Sequence, residues 1–394
     1  MPKISIIMPC YNAGEYLHRS MPSCLNQTLT DIEIICVNDG STDNTAEILQ
    51  EYASKDNRIK IITQKNQGTL VSRKRGMEYA SGEYCMFLDQ DDFYELYACQ
   101  ELYQWIEQQK VDMVDCRFKI IEQNNTVYNC PLSSLSHQKL NSLDALEKIM
   151  GYASNYLFAT YIWKKILSFT LYKKVASHIP EKYMTSHEDI FMVFLCFYFA
   201  KTYYTVDNIY YNHYKDIGFF KEYSFSQFQK AISAIHIFHS YFIEFVEKQK
   251  PPLSFEKSLT KIIHIIEENG LNIWNKICPP ERKEEGFLLI CNTLSKEAIV
   301  NRWLENHRFI QNQKILIQKQ QKLLQFYTNL PTNPNLTKAL RSFHSHFPFL
   351  FRVYSFVVRR TYQVFQSLKQ NGFWKTCKKI IQYIRNKIKS IKNI

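Results

Sequence analysis

Glycine and proline are scarce in this 394-residue chain, with 10 Gly and 12 Pro. That excludes a collagen-like or low-complexity protein. Paired cysteine spacings are missing too: there are 11 Cys, an odd number, and no CxxC. Zinc-ribbon and redox-pair sites are thereby excluded, and free thiols in a reducing compartment are expected. No charged leader followed by an apolar stretch is visible, because the first strand-like run starts at Lys3. The longest apolar run, Ile190 to Ala200, falls far short of the ~18–20 residues that a membrane span needs. The first strand runs into Pro-Cys-Tyr-Asn rather than GxGxxG, which removes the fingerprint of a dinucleotide-dependent oxidoreductase.

Acidic residues are missing from the end of the chain. The last is Glu305, and residues 306–394 hold 17 Lys plus Arg. The first 305 residues carry 32 basic and 37 acidic side chains, so the overall charge of +12 belongs to the tail. Such asymmetry points to an anionic surface, either membrane headgroups or nucleic acid. Trp374, Cys377, Ile381, Ile384, Ile388 and Ile391 fall on one stripe of a helix. Lys375, Lys378, Lys379, Arg385, Lys387, Lys389 and Lys392 cover much of the rest. A basic amphipathic helix of this kind reads as an interfacial membrane anchor. Packing on the body or pairing with another chain is the alternative. No nucleic-acid-binding motif accompanies the charge, so nucleic acid is not expected as a partner.

Hydrophobic residues make up 45% of the chain, enough for a sizeable core. Near-continuous apolar runs at 4–8, 32–37, 59–62, 84–88 and 113–116 alternate with helical patterns. The pattern predicts an α/β fold, a mostly parallel sheet with helices on both faces. Segment 160–171 mixes strand and helix signals, and 189–201 reads as a buried helix. From about 216 the pattern is helical to 330, interrupted at Pro251-Pro252 and Pro279-Pro280, with a linker at 331–335. The domains expected are 1–215, 216–330 and a basic segment 331–394. In parallel sheets the ligand lies beyond the carboxyl ends of the strands. The polar clusters at 9–12, 38–43 and 89–92 all sit at such ends and converge on one crevice.

Asp89, Asp91 and Asp92 are three carboxylates within four residues. Their mutual repulsion favours a bound hard cation such as Mg²⁺ or Mn²⁺, held by one or two carboxylates plus phosphate oxygens. Taken alone, the cluster also suits an acidic turn capping the next helix.

MPCYNAGEYL, VNDGSTDNT, KNQGTLVSRKRG and SGEYCMFLDQDD, in that order, resemble the family 2 glycosyltransferases of the GT-A fold. The similarity covers about residues 3–215 and is dense over the first 95. It implies a nucleotide-sugar-binding half at 1–115 and an acceptor half at 116–215. It assigns Pro9, Tyr11 and Asn12 to the nucleoside of the donor, Asp39 to the uracil edge, and Arg73 to the base or diphosphate. Lys74 and Arg75 read as a solvated helix face. Asp91 and Asp92 match the ribose- and metal-contacting pair, with their roles undivided, and Asp89 supports them. His187-Glu188-Asp189 resembles the motif that supplies the base in inverting members, with Asp189 as base and Glu188 beside the acceptor. An acidic N-terminus of the following helix is the plainer alternative. Trp163-Lys164-Lys165 resembles a Trp-Asn-Lys segment, with Lys164 replacing Asn. Tyr210 to Tyr214 matches a tyrosine-rich closing strand.

The resemblance thus implies an inverting, metal-dependent transferase using a uridine-linked sugar, with Mn²⁺ or Mg²⁺ as cofactor. The acceptor would be a saccharide, free or lipid-linked, in lipopolysaccharide or capsule assembly. The place expected is the cytoplasmic face of the membrane; self-association is left open. The competing class is a non-catalytic nucleotide-binding scaffold on the same fold.

Overall fold

A computed structural model of the chain describes residues 1–130, 135–151, 160–181, 183–184, 187–214 and 224–294. The chain divides into two compact units, 1–300 and 301–394. The linker at 331–335 and the basic stripe at 374–391 belong to the second unit and lie outside the described residues.

Four of the apolar runs build the parallel half of one sheet. β1 (Ile4–Cys10) pairs with β2 (Ile32–Asn38) and β4 (Tyr84–Phe87), and β2 pairs with β3 (Ile59–Thr63), all parallel. Every residue of β1 and β2 is buried. Strands covered on both faces need no polar alternation, which is why these runs are continuous in the sequence. Their connections are helical: α1 (Leu17–Leu25), α2 (Thr45–Lys55) and α3 (Thr69–Tyr79). Then come β5 (Phe93–Tyr94), α4 (Ala98–Gln109), β6 (Met113–Ile121), the short β7 (Val127–Asn129) and β8 (Leu140–Asn141), and α5 (Ser142–Gly151).

The ambiguous stretch at 160–171 splits into β9 (Lys165–Ser168) followed by α6 (Phe169–Ala176). β9 is antiparallel to both β4 and β6, so the sheet expected to be mostly parallel is parallel through its first four strands and mixed beyond. After α7 (Glu188–Phe199), the long β10 (Thr202–Tyr214) runs parallel to β6. The ten-stranded sheet has the order β3-β2-β1-β4-β9-β6-β10-β5, with β7 on β6 and β8 on β10. The helices α8 (Phe225–Gln249), α9 (Leu253–Ile277) and α10 (Lys283–Thr293) are separated at the two Pro-Pro steps. No helix of the described residues is long and apolar enough to cross a membrane.

Two contacts fix how this frame holds the site. Glu33 is buried in β2 and accepts bonds from Ser5 Oγ at 2.6 Å, Ser81 N at 2.7 Å, Gly82 N at 3.1 Å and Lys60 Nζ at 2.5 Å. Burial works against its charge, yet these donors hold its pKa below the usual carboxylate value. The cost of burying a carboxylate is met only because every oxygen is bonded, and the result ties β1, β2 and the α3–β4 turn together. Further along the chain, Phe191 and Phe194 of α7 pack on Phe242 of α8 at 5.1 and 5.7 Å. The helical region is therefore the wall against which α7 is set.

α3 crosses β1 at Gly76, where a Cβ would stand 2.4 Å from Ile7 Cγ2. Gly76→Ala is expected to lose about 1–3 kcal/mol by overpacking, outweighing the ~1 kcal/mol that alanine gains over glycine in a helix. A urea midpoint at or above wild type would contradict this packing.

Candidate active site

The carboxyl ends of β1, β2 and β4 meet the start of α7. Pro9 is buried within β1, in register with Val37, so Tyr11 and Asn12 are the members of that motif with exposed surface. Gln90 pins the Tyr11 backbone from both sides: Tyr11 N donates to Gln90 Oε1 at 2.7 Å, and Gln90 Nε2 donates to Tyr11 O at 3.2 Å. The Tyr11 ring is 45% exposed and stacks on no other ring among the described residues. Asn12 takes a left-handed backbone, φ 49°, and its Oδ1 accepts from Thr42 N at 2.8 Å. That bond ties the end of β1 to the turn after β2.

Asp39, at the end of β2, is buried. Its Oδ1 accepts from Gln64 Nε2 at 2.8 Å and Gln67 N at 2.9 Å, and its Oδ2 from Gly68 N at 2.8 Å. The carboxylate thus shapes the 64–68 loop that leads into α3. Oδ2 takes a single bond, so it retains acceptor capacity.

Arg73, on α3, is 1% exposed. One terminal nitrogen donates to Asp89 Oδ1 at 2.7 Å and the other to Asp189 Oδ1. This guanidinium, which the resemblance assigns to the donor base or diphosphate, lies buried between two carboxylates. Lys74 pairs with Glu181 at 3.0 Å and Arg75 with Glu78 at 3.1 Å, the solvated face expected of them. Glu188 and Asp189 open α7, where acids are favoured by the helix dipole. Burial raises the pKa of both. For Asp189 the neighbours Asp89 and Glu188 add to it, and together they outweigh Arg73 and bring the group to about 7.

The acidic cluster divides into two parts. Asp92 has no exposed surface, and both its carboxylate oxygens are hydrogen-bonded. Oδ2 takes the Tyr211 hydroxyl at 2.7 Å and His213 Nδ1 at 3.1 Å, and Oδ1 takes Tyr214 N at 2.8 Å. Asp92, expected as a metal ligand, is thus buried and engaged on both oxygens by the end of β10. Asp91 is the reverse. It is partly exposed and makes no side-chain bond to another residue among the described residues. Burial, Asp92 and Asp89 raise it to about 7. Asp89 spends one oxygen on Arg73 and is 26% exposed. No three His, Cys, Asp or Glu side chains among the described residues are grouped to hold an ion by themselves. One free carboxylate and half of another do fit a hard divalent ion whose remaining ligands are phosphate and water.

Residues 5–167 match the model for "Glycosyl transferase family 2". The chain carries a family 2 glycosyltransferase domain. Its sequence is 33% identical over 174 residues to an uncharacterised glycosyltransferase, EpsJ, of Bacillus subtilis, covering 44% of this chain and 50% of that protein. It is 32% identical over 222 residues to a cholesterol galactosyltransferase of Borreliella burgdorferi, covering 55% and 61%. The chain thus spans only part of the length of these relatives. Among solved structures, Staphylococcus aureus TarS 1–349 in complex with UDP-GlcNAc superposes with TM-score 0.53 at 18% identity, covering 75% of this chain and 82% of that one. That likeness concerns the fold, which is the GT-A architecture.

Three residues that help build the family 2 site were not assigned from the sequence. Gln90 stands inside the acidic cluster, with nothing in its neighbourhood to mark it as the Tyr11 clamp. Tyr211 and His213 belong to the tyrosine-rich closing strand, whose resemblance assigns neither of them a role. Positions two apart on a strand share a face, and that face meets Asp92. Trp163, 3% exposed, stacks on Tyr211 at 4.2 Å and on Tyr161 at 4.7 Å. Lys164 points inward to Asp115 at 2.6 Å.

Arg73→Met would leave Asp89 and Asp189 unpaired beside Glu188. The folded pKa of Asp189, already raised to about 7, would then rise further above the ~3.9 of an unfolded Asp, so stability would fall as pH rises. We expect a loss of about 3 kcal/mol at pH 8 that shrinks markedly by pH 5, checked by denaturant unfolding at both. A loss independent of pH would contradict the bridge.

Proposed function

We propose that the family 2 domain is an inverting glycosyltransferase. It moves a sugar from a uridine diphosphate donor to a saccharide acceptor. One observation carries this reading: Arg73 brings Asp189 within one guanidinium of Asp89, although 100 residues separate them. The donor-side cluster and the residue at the head of α7 are parts of one site.

Tyr11 offers an exposed ring to the base, and Asp39 offers an acceptor to its edge. Asn12 sets the turn between them. Asp91, with the spare oxygen of Asp89, would hold Mg²⁺ or Mn²⁺ together with the diphosphate. Such an ion, when bound, neutralises charge building on the leaving diphosphate. Asp189 takes the proton of the acceptor hydroxyl. The freed oxygen attacks the anomeric carbon from the side opposite the diphosphate, the bond to the diphosphate oxygen breaks, and UDP leaves. Attack opposite to departure inverts the anomeric centre. Glu188, one residue ahead, would orient the acceptor.

TarS is solved with UDP and with UDP-GlcNAc, which supports a uridine-linked donor. The names of the relatives, a cholesterol galactosyltransferase among them, support an acceptor that is a saccharide or is carried on lipid. A setting in lipopolysaccharide or capsule assembly follows from the same likeness. The basic stripe at 374–391 would bring the enzyme to an anionic membrane face.

A base must be ionised to work, so kcat/KM, which reports the free enzyme, is expected to rise with pH and level off above about 7. Asp189→Asn should lower kcat at least ~100-fold while UDP affinity stays within a few-fold. Transfer by this variant at near wild-type rate would remove Asp189 from the role.

A further inference from the structure

Gly68 is one of the residues through which Asp39 holds the loop before α3. Its φ is +85°, and a Cβ there would lie 3.1 Å from Met184 O and 3.3 Å from ring carbons Cδ2 and Cε2 of Tyr183. The 64–68 loop is therefore stripped of side-chain bulk at the point where Tyr183 lies on it. Tyr183 comes from the segment before α7, five residues ahead of Glu188, and its ring is 50% exposed. Its hydroxyl makes no hydrogen bond among the described residues. Burial comes first in raising its phenol above the usual value, followed by the charges of Asp39, Tyr11 and Glu188. Tyr183 thus lies on the loop that Asp39 holds, and Asp39 N donates to Cys10 O at 2.8 Å, next to Tyr11.

Tyr11 is also half exposed, and no ring contact joins it to Tyr183 among the described residues. Two open aromatic rings thus attend one buried carboxylate that still has acceptor capacity on Oδ2. A flat heterocycle carrying an N–H on its edge matches this arrangement. Rings stack on bases largely without regard to identity, while the edge contact discriminates.

We propose that Tyr183 is the second wall of the donor-base pocket, so that a pyrimidine base lies between the rings of Tyr11 and Tyr183 with its edge at Asp39. The proposal rests on the nucleotide-donor reading and adds to it a contact from the acceptor half of the domain. Tyr183 acts here as a binding residue and takes no part in proton transfer.

Calorimetric titration of the full chain with UDP and Mg²⁺ tests it. Tyr183→Ala is expected to weaken UDP about 5- to 150-fold, the range of one lost stacking contact. Tyr183→Phe should stay within about twofold. Tyr183→Leu, which keeps apolar bulk without a ring plane, should show the loss as well, and stands in if the alanine variant does not fold. Pyrophosphate, which lacks the base, should compete equally well against wild type and variant. In turnover the donor KM should rise with kcat nearly unchanged. If Tyr11→Ala weakens UDP and Tyr183→Ala does not, the Tyr183 assignment falls and the donor reading stands. Equal weakening of UDP and pyrophosphate would also overturn it. Absence of UDP binding by wild type would overturn both.

Discussion

One buried guanidinium organises the site. Arg73 brings no spare charge to the surface; both terminal nitrogens are committed, one to Asp89 and one to Asp189. Without it, Asp89, Glu188 and Asp189 would gather in a poorly solvated crevice with only repulsion between them. With it, the head of α7 is held against the end of β4, and two segments distant in sequence share a single crevice. The same pairing leaves Asp189 titrating near neutrality, because burial and the neighbouring acids outweigh the arginine. A carboxylate in that state is suited to take a proton from a hydroxyl and release it.

The acidic cluster obeys a related rule. A carboxylate oxygen is either bonded within the protein or open to a ligand, and the two Asp side chains at 91 and 92 divide these states between them. Asp92 is spent on the end of β10, where Tyr211, His213 and the Tyr214 amide converge. The Tyr211 hydroxyl also accepts from Asp89 N at 3.2 Å, and its ring lies under Trp163. An aromatic stack on β10 thus sets the backbone of the turn after β4. Asp91 stays open beside it.

Much of this could be read in the sequence, for physical reasons. Continuous apolar runs reported doubly covered strands, so the strand ends, and with them Tyr11, Asp39 and the acidic cluster, were located correctly along the chain. Segment 160–171 resisted because β9 has four residues, too few to show a period, and its antiparallel course has no local signature. The division between Asp91 and Asp92 was invisible because both sit in one turn, and the partners that separate them lie about 120 residues downstream on β10. Arg73 stood beside two other cations in Ser72-Arg73-Lys74-Arg75. Only burial distinguishes the one that bridges from the two that pair on the helix face.

The central claim is that this crevice binds a nucleotide sugar and activates its glycosidic phosphate bond. The most direct test is to incubate the full chain with a panel of nucleotide sugars, with and without Mn²⁺, and to measure nucleoside diphosphate release. The account predicts slow, metal-dependent release of UDP from a uridine-linked sugar, abolished by Asp91→Asn. Release from none of the panel, or release indifferent to metal and to Asp91, would contradict it.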